Sequence, residues 1–328
     1  MSPGFFFMRP SKNIFFIVGP TATGKSELAA EVARECGAEI VSADAFQIYR
    51  GLDLLTAKPD QATMSKVPHH LIGAVSLGEE MNAAKFRALA EKEIYAVYDR
   101  GKPAIVVGGS GLYVKTLTHG LTPLPPANPN LRAKLNQLSV EQLHARLATL
   151  DSKTASTIDS KNRRRLERAL EICLLSGKPA SVVAAAVPSG RGERDQIFSR
   201  SAAETAAATS GVFVFRERDD LYDRINRRVE EMFANGVIEE VEALREIGPT
   251  AAQALGLHEI QQLIAREISE AECIAKVQQA TRHYAKRQLT WFRHQTNFPS
   301  LNLSLHGRSE AIEWILREAR LSFARRDD

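Results

Sequence analysis

The sequence predicts an α/β fold, in which a parallel β-sheet is flanked by helices and an all-helical lobe is inserted into the chain. Two observations carry this prediction. Short apolar runs alternate with helical patterns as far as Gly109, and such alternation is typical of a doubly wound parallel sheet with right-handed crossovers. Four prolines within residues 121–129 then stop any regular element, and only helical patterns follow as far as Val187.

The predicted elements of the first part follow one another closely. An apolar run leads into a Gly/Pro turn and a helical pattern, and two more apolar runs flank a second helix. The predicted strands are 13–18, 38–42 and 104–107, and the predicted helices are 27–36 and 86–98. Ligands bind at the carboxyl ends of the strands in such sheets, so a site is expected in the loops that follow them.

The domain organisation follows from the change of pattern. We expect the first part of the core at 1–124, a helical insertion at 125–207 and a return to the core at 208–328. In the insertion, one helix carries an apolar stripe of Leu166, Leu170, Cys173 and Leu174, which leaves its arginines on other faces. Residues 188–210 are rich in Gly, Ser and Ala without a clear period and predict a flexible connection.

The returning part begins with strand character at residues 211–215 and is mainly helical after that. Its first helix carries the apolar residues Leu221, Ile225, Val229 and Met232 and is expected to end at Asn235-Gly236.

The composition is that of an ordinary globular protein, with 44% hydrophobic and 25% charged residues. The apolar run near the start is too short to cross a bilayer, and no signal peptide is recognisable, so we expect a cytoplasmic protein with no membrane partner. Three widely spaced cysteines match neither a disulfide framework nor a zinc motif. A net charge of +4 is only mildly basic, but arginines and lysines gather in three stretches, 163–168, 224–228 and 282–293.

A phosphate-binding loop is predicted between the first strand and the first helix. Gly19-Pro20-Thr21-Ala22-Thr23-Gly24-Lys25-Ser26 fits the pattern G-x-x-x-x-G-K-[ST] in the required strand–loop–helix context, which makes the fold P-loop NTPase-like. Backbone amides of such a loop surround phosphate oxygens, Lys25 adds a positive charge, and Ser26 can ligate Mg²⁺. The loop alone leaves open whether its ligand is a nucleoside triphosphate or another diphosphate.

Asp44 follows the second predicted strand and should therefore lie at the carboxyl edge of the sheet, near the phosphate-binding loop. A metal ligand or a general base belongs there. An Asp after a strand is more often a turn former, so this position alone does not decide the role.

Several motifs together resemble the tRNA dimethylallyltransferase (tRNA isopentenyltransferase) family. They occur in the family's order over about residues 13–295. The segments are DAFQIYRGLD with TAKP after it, VPHHLI, VVGGSGLY, the prolines before Arg132, RALE from Arg168, and YAKRQLTWFR from Tyr284.

The resemblance implies transfer of a dimethylallyl group from its diphosphate to the exocyclic amine of an adenosine next to the tRNA anticodon. It implies Asp44 as the base, Arg224 as the diphosphate clamp with Arg228 on the same helical face, and Ser110 as a hydroxyl that orients Asp44 or the target nucleotide. The other residues expected at the diphosphate are Gly19, Thr21, Ala22, Thr23, Gly24, Lys25 and Ser26, with Mg²⁺ on Ser26. The residues expected to contact tRNA are Asp44, Ala45, Phe46, Gln47, Ser110, Arg132, Arg164, Arg165, Leu166, Glu167, Arg168, Lys286 and Arg287.

The chain departs from the family pattern at a few positions, and we expect these to affect recognition or rate. They are Ala45 for Ser, Leu55 for Gly, Gly73 for Asp, Ser110 for Thr, and Leu255-Gly256-Leu257-His258 for the usual Ile-Gly-Tyr-Lys/Arg. The adjacent His69 and His70 point to opposite sides of an extended chain, which favours packing or hydrogen bonding over a metal site.

Three other functions remain open from the sequence. They are a related prenyltransferase acting on free adenine nucleotides, a P-loop kinase that consumes ATP, and a tRNA-binding protein that has lost catalysis. The arginine-rich lobe argues against the first, because a mononucleotide needs no clamp. The expected partners are the anticodon stem-loop of tRNA and dimethylallyl diphosphate, and a monomer is expected.

Overall fold

The computed structural model describes residues 14–121, 124–185 and 209–324. The chain divides into two compact units, which we call the core unit and the helical unit. The core unit contains the described residues of Met1–His119 and Glu204–Asp328, and the helical unit those of Gly120–Ala203. Pro123 and most of the predicted connection 188–210 lie outside the described residues. The predicted domain limits 1–124, 125–207 and 208–328 stay predictions.

One parallel sheet forms the centre of the core unit. Its strands within the described residues are β1 (Ile14–Val18), β2 (Glu39–Ser42), β3 (His69–His70), β4 (Ala104–Gly108), β5 (Ser210–Phe215) and β6 (Ser300–Asn302). They lie in the order β3-β2-β4-β1-β5-β6, and every pair is parallel. Strands β1, β2 and β4 are buried along their whole length, as expected for a sheet covered on both faces. The predicted α/β class is confirmed.

Helices cover the sheet and continue beyond it. In the core unit they are α1 (Lys25–Cys36), α2 (Gln61–Met64), α3 (Ala83–Asp99), α4 (Gly111–Thr118), α10 (Arg218–Ala234), α11 (Val237–Glu242), α12 (Leu257–Ile264), α13 (Glu270–Gln295) and α14 (Arg308–Ala324). Local signals set several ends: Asn82 caps α3, and Ser269 with Glu272 forms a capping box on α13. Helix α10 ends at Ala234, before Asn235-Gly236, as predicted.

Helices account for the regular structure of the helical unit in its described residues. They are α5 (Pro129–Leu135), α6 (Val140–Leu150), α7 (Ser152–Thr157), α8 (Arg163–Ser176) and α9 (Ala180–Ala185). Leu143, Leu147, Leu166 and Leu170 are fully buried and form the centre of its core.

Leu174 was wrongly placed in the buried stripe of α8, because its side chain is 43% exposed. At 100° per residue it lies about 80° from Leu166 around the helix, at the edge of the apolar face. Cys173 is buried in that face as predicted, and Ala169 is buried there in addition.

No helix in the described part of the chain is long and apolar enough to cross a membrane. Cys36 is half-buried and Cys173 and Cys273 are buried, and all three are free thiols. The two histidines of β3 take part in hydrogen bonds, as predicted: His69 Nδ1 lies 2.8 Å from the Val67 carbonyl oxygen, and His70 Nε2 lies 2.8 Å from a carboxylate oxygen of Glu39.

Candidate active site

Three loops meet at the carboxyl edge of the sheet, because β1 and β2 both flank β4. They are the loop from Gly19 to Gly24, the turn after Ser42 and the turn at Gly109-Ser110. The backbones are closely packed: a Cβ atom at Gly19 would lie 2.2 Å from the Val214 carbonyl oxygen, and one at Gly108 would lie 2.2 Å from that of Ala43. Only glycine fits such approaches, so Gly19 packs the first loop against β5 and Gly108 packs the end of β4 against the turn after β2.

The phosphate-binding loop presents a row of free backbone donors. Gly24 and Ala22 adopt left-handed conformations, with φ of 87° and 63°, which turn successive N–H groups to one side. In the described part of the chain, the N–H groups of residues 22–26 donate to no protein acceptor. Together with the N-terminus of α1 they form an anion-binding concavity.

Thr21 differs from its neighbours in this loop. Its N–H donates to Gln288 Oε1 at 2.9 Å, and its Oγ1 accepts a hydrogen bond from Arg228 at 2.9 Å. The expectation that Thr21 binds diphosphate is therefore corrected for its amide, which already has a protein partner. Its hydroxyl proton remains free to donate.

Lys25 lies inside the loop, where its Nζ donates to the Pro20 carbonyl oxygen at 3.1 Å. Burial lowers the pKa of Lys25 from 10.5 to about 8; the nearby Asp44 carboxylate opposes this shift and Arg228 adds to it. An anionic ligand placed here would raise the pKa again and keep the ammonium group charged.

Arg224 and Arg228, which lie four residues apart on one face of α10, both reach the phosphate-binding loop. Arg224 Nε donates to the Ala22 carbonyl oxygen at 2.8 Å. Burial lowers the pKa of each guanidinium. In Arg228 the buried Nε also lacks a hydrogen-bond partner. Neither arginine forms a salt bridge within the described residues, so their charge is available to an anion.

Asp44 lies where it was expected, two residues after the end of β2. Its Oδ1 accepts hydrogen bonds from the N–H groups of Phe46 at 3.0 Å and Gln47 at 3.3 Å. The turn-forming role is thus real, and it fixes the orientation of the carboxylate. Oδ2 contacts no hydrogen-bond donor among the described residues. One pocket is lined by Asp44, Gln47, Lys25, Ser26 and His69, among other residues.

Ser110 lies in the turn between β4 and α4 and is 9% exposed. Its Oγ accepts a hydrogen bond from the Ala45 N–H at 2.9 Å, and its own N–H donates to the Ala43 carbonyl oxygen at 3.2 Å. These bonds hold the peptide groups on either side of Asp44. The serine therefore acts on the backbone that carries Asp44 and not on its carboxylate.

Two tyrosines adjoin the carboxylate. Tyr113 stacks on Phe86 with ring centroids 3.8 Å apart. Burial raises the pKa of both Tyr113 and Tyr284, and the charge of Asp44 adds to the shift in each; in Tyr113 the effect of Tyr49 is larger than that of Asp44. The side chains of Ser110 and Gln288, which lie close to Tyr284, oppose the rise in its pKa. Neither tyrosine was singled out as a functional residue from the sequence, although Tyr113 and Tyr284 lie within two of the motifs.

Of the other residues expected at tRNA in the core unit, Ala45, Phe46 and Gln47 are half-buried, and Lys286 and Arg287 are exposed on α13. The Gln47 amide donates to the carbonyl oxygens of Thr56 and Ala57, which fixes the loop after Asp44.

In the helical unit, Arg164 and Arg165 are exposed, whereas three other expected tRNA contacts are engaged in the fold. Arg132 and Arg168 both bind the fully buried carboxylate of Glu171, at 3.1 and 2.6 Å. Leu166 was wrongly expected to contact tRNA, since its side chain is fully buried in the lobe's core.

Glu167, the remaining expected contact, forms a 2.6 Å ion pair with Arg163. Its position four residues after Arg163 on α8 explains the pair.

Comparison with known proteins identifies the family of the chain. A model described as IPP transferase matches residues 47–295, which is more than half of the chain. The chain belongs to the IPP transferase family. This confirms the resemblance seen in the motifs.

Curated members of the family match over most of their length. A tRNA dimethylallyltransferase of Geobacter sulfurreducens is 42% identical over 310 residues, covering 92% of this chain and 91% of the relative. One of Akkermansia muciniphila is 40% identical over 280 residues, covering 85% and 90%.

The fold is also similar to solved structures of such transferases. A full-length tRNA isopentenylpyrophosphate transferase from Bacillus halodurans is 32% identical, with a TM-score of 0.69 over 96% of this chain and 98% of that one. A eukaryotic dimethylallyltransferase that acts on tRNA has a TM-score of 0.77 at 22% identity, which shows a shared fold.

Gln288 is a further site residue that the sequence did not indicate. It lies in the YAKRQLTWFR segment, but only its neighbours Lys286 and Arg287 were given a role. Its contacts with Thr21 and Gly109 span 267 and 179 residues, and no local pattern indicates such contacts.

Proposed function

We propose that this chain transfers a dimethylallyl group from dimethylallyl diphosphate to the exocyclic amine of the adenosine 3′ to the anticodon in tRNA. The observation that carries the proposal is the pocket in which the phosphate-binding loop faces Asp44. The phosphate-binding loop, Lys25, Arg224 and Arg228 together are called the diphosphate cradle. The arrangement places this cradle, which would hold the leaving group, opposite a base. It suits displacement at carbon in a member of the IPP transferase family, whose relatives are named tRNA dimethylallyltransferases.

The diphosphate end of the substrate binds at the loop. The N–H groups of residues 22–26 and the charges of Lys25, Arg228 and Arg224 surround the phosphate oxygens. As the bond between the allylic carbon and the diphosphate oxygen breaks, negative charge grows on that oxygen, and buried donors stabilise it more strongly than water does.

Asp44 acts on the acceptor, the adenosine amine. The adenosine amine attacks the allylic carbon, a carbon–nitrogen bond forms, and one amine proton passes to the carboxylate. Because Oδ1 is occupied by two backbone amides, Oδ2 is the oxygen that receives the proton. Ser110 keeps the Asp44 backbone in place through Ala45.

The residues also fit Mg²⁺. The Ser26 hydroxyl and the oxygens of the bound diphosphate would hold the ion, which prefers oxygen ligands and is usually bound together with substrate phosphates. Bound there, it supplies positive charge to the diphosphate. The described residues contain no cluster of His, Cys, Asp or Glu that could hold a metal elsewhere.

Exposed basic side chains of both units supply affinity for the RNA backbone. These are Arg164 and Arg165 in the helical unit, and Lys286 and Arg287 in the core unit. The target base must leave its stack to reach Asp44, which is half-buried in its pocket. A monomeric state and a cytoplasmic location stay predictions.

A single transfer assay tests the function. The purified chain is incubated with Mg²⁺, labelled dimethylallyl diphosphate and unmodified tRNA, and label is expected in the tRNA with release of diphosphate. Label that enters only AMP, ADP or ATP would contradict the proposal and support the related nucleotide prenyltransferase. Consumption of ATP without prenyl transfer would support a kinase.

A further inference from the structure

Gln288 lies on α13, and its side-chain amide joins two loops of the site. Its Oε1 accepts a hydrogen bond from the Thr21 N–H at 2.9 Å, and its Nε2 donates to the Gly109 carbonyl oxygen at 2.8 Å. The residue is 5% exposed, so water cannot easily replace either bond. A buried amide with its donor and acceptor both satisfied fixes the geometry of its partners.

Both loops are bonded onward to groups that the proposed function uses. On one side, Thr21 Oγ1 accepts from Arg228, which is part of the diphosphate cradle. On the other side, Gly109 is joined by its peptide bond to Ser110, whose Oγ accepts from the N–H of Ala45, the neighbour of Asp44. A continuous bonded path therefore runs from Arg228 to the backbone of Asp44, and Gln288 lies at its centre.

The junction leaves no room for another arrangement. A Cβ atom at Gly109 would lie 2.3 Å from Gln288 Nε2 and 3.1 Å from the Gly19 carbonyl oxygen. The glycine thus allows the amide to reach the backbone, and the amide holds the turn against the phosphate-binding loop.

We propose that Gln288 is a positioning residue that fixes the separation between the diphosphate cradle and the Asp44 base. The inference rests on the proposed function and deepens it. Displacement at carbon needs the leaving oxygen and the attacking nitrogen to be held at the same time, and a displacement of about 1 Å costs on the order of 100-fold in rate. Binding of either substrate alone makes no such demand.

The test is a set of steady-state measurements on the full chain with tRNA and labelled dimethylallyl diphosphate. Gln288→Leu removes both bonds at similar volume, and we expect kcat to fall about 100-fold while KM for tRNA changes by less than about threefold. Gln278→Leu is the matched control. Gln278 lies on the same helix, but it bonds Asn226 and Glu230, outside the path. It should leave kcat within about twofold of the wild-type value.

A double-mutant cycle with Ser110→Ala separates positioning from general support of the fold. If Gln288 and Ser110 act along one path, the double variant loses about as much rate as the more damaging single variant. Losses that multiply would overturn the proposal, as would a Gln288→Leu enzyme with near wild-type kcat.

Two further outcomes are distinguished by design. If thermal melts show that Gln288→Leu is unfolded, the cycle is run with Gln288→Glu, which keeps the acceptor for Thr21 and loses the donor to Gly109. The same non-additive loss is expected, and multiplying losses would again overturn the proposal. If the wild-type chain does not label tRNA at all, the proposed function fails before the role of Gln288 is reached.

Discussion

The arginines of the core unit and those of the helical unit are held in opposite ways. Arg224 and Arg228 contact neutral oxygens of the phosphate-binding loop and form no salt bridge among the described residues. Arg132 and Arg168 instead share the fully buried carboxylate of Glu171. The sequence predicted ligand contacts for all four.

The difference indicates what each pair is for. A partly buried guanidinium with no salt-bridged acid gains stability from a ligand that neutralises it, so we expect Arg224 and Arg228 to bind an anion. Arg132 and Arg168 bind one carboxylate, which offsets one of their two positive charges, so their first role is to hold the buried Glu171 within the helical unit.

Substitution of Arg228 tests the first half of this comparison most strongly. We expect Arg228→Met to lower kcat/KM for dimethylallyl diphosphate by about 1,000-fold, since it removes a charged donor from the developing diphosphate. The free energy of unfolding without ligand should stay the same or rise, because a poorly compensated buried charge is lost. Transfer rates measure the change in kcat/KM, and denaturant melts measure the change in the free energy of unfolding. A large loss of stability would contradict the idea of a site awaiting an anion.

Substitution of Glu171 tests the second half. Glu171→Gln keeps one acceptor but turns an NH₂ group toward guanidinium donors, and we expect the free energy of unfolding to fall by about 2–3 kcal/mol. Measured per folded molecule, kcat should change little. A variant of normal stability with a selective loss of tRNA binding would assign these arginines to RNA recognition instead.

The pH dependence of diphosphate binding sharpens the comparison within the core unit. The pKa of Lys25 is lowered by burial to about 8, and a bound anion raises it. The charged form is thus favoured in the complex, so the contribution of Lys25 to affinity is present at neutral pH and is lost, by up to about tenfold per pH unit, as pH rises past about 8. Calorimetry with inorganic diphosphate measures this, and Lys25→Met should abolish this contribution. An affinity for diphosphate that stays unchanged up to pH 10 would contradict the role of Lys25.

The smallest effects are expected at the exposed arginines of the helical unit. Arg164→Gln and Arg165→Gln should each weaken tRNA binding a few-fold and reduce the slope of log affinity against log salt by about 1, with kcat unchanged. Lys153, exposed on α7, provides a matched control. Equal effects of Lys153→Gln would mean that the lobe binds RNA only through its overall charge.

Local patterns predicted the parts of the site but not their connections. The strand, loop and helix around Gly19–Ser26 were readable because hydrophobic period and glycine chemistry are local signals. The same holds for Asp44, which follows a buried strand. The strand order and the bonds of Gln288 depend on packing between distant segments, which one sequence does not display.

In the helical unit, too, the sequence predicted the elements but not the contacts of individual residues. A cluster of arginines on an amphipathic helix was correctly found, but its spacing alone does not show which members meet Glu171 and which face solvent. Leu166 was included because a contiguous motif was taken as one surface, although a helix turns adjacent residues to different sides.

The central feature of the proposed function is Asp44, the base opposite the diphosphate cradle. Single-turnover transfer by Asp44→Asn measures this most directly, with tRNA affinity and diphosphate affinity determined on the same preparation. We predict that transfer is abolished while both affinities stay near the wild-type values, because the amide keeps an oxygen for the amides of Phe46 and Gln47 but cannot accept the amine proton. A variant that transfers at a near-normal rate would contradict the assignment.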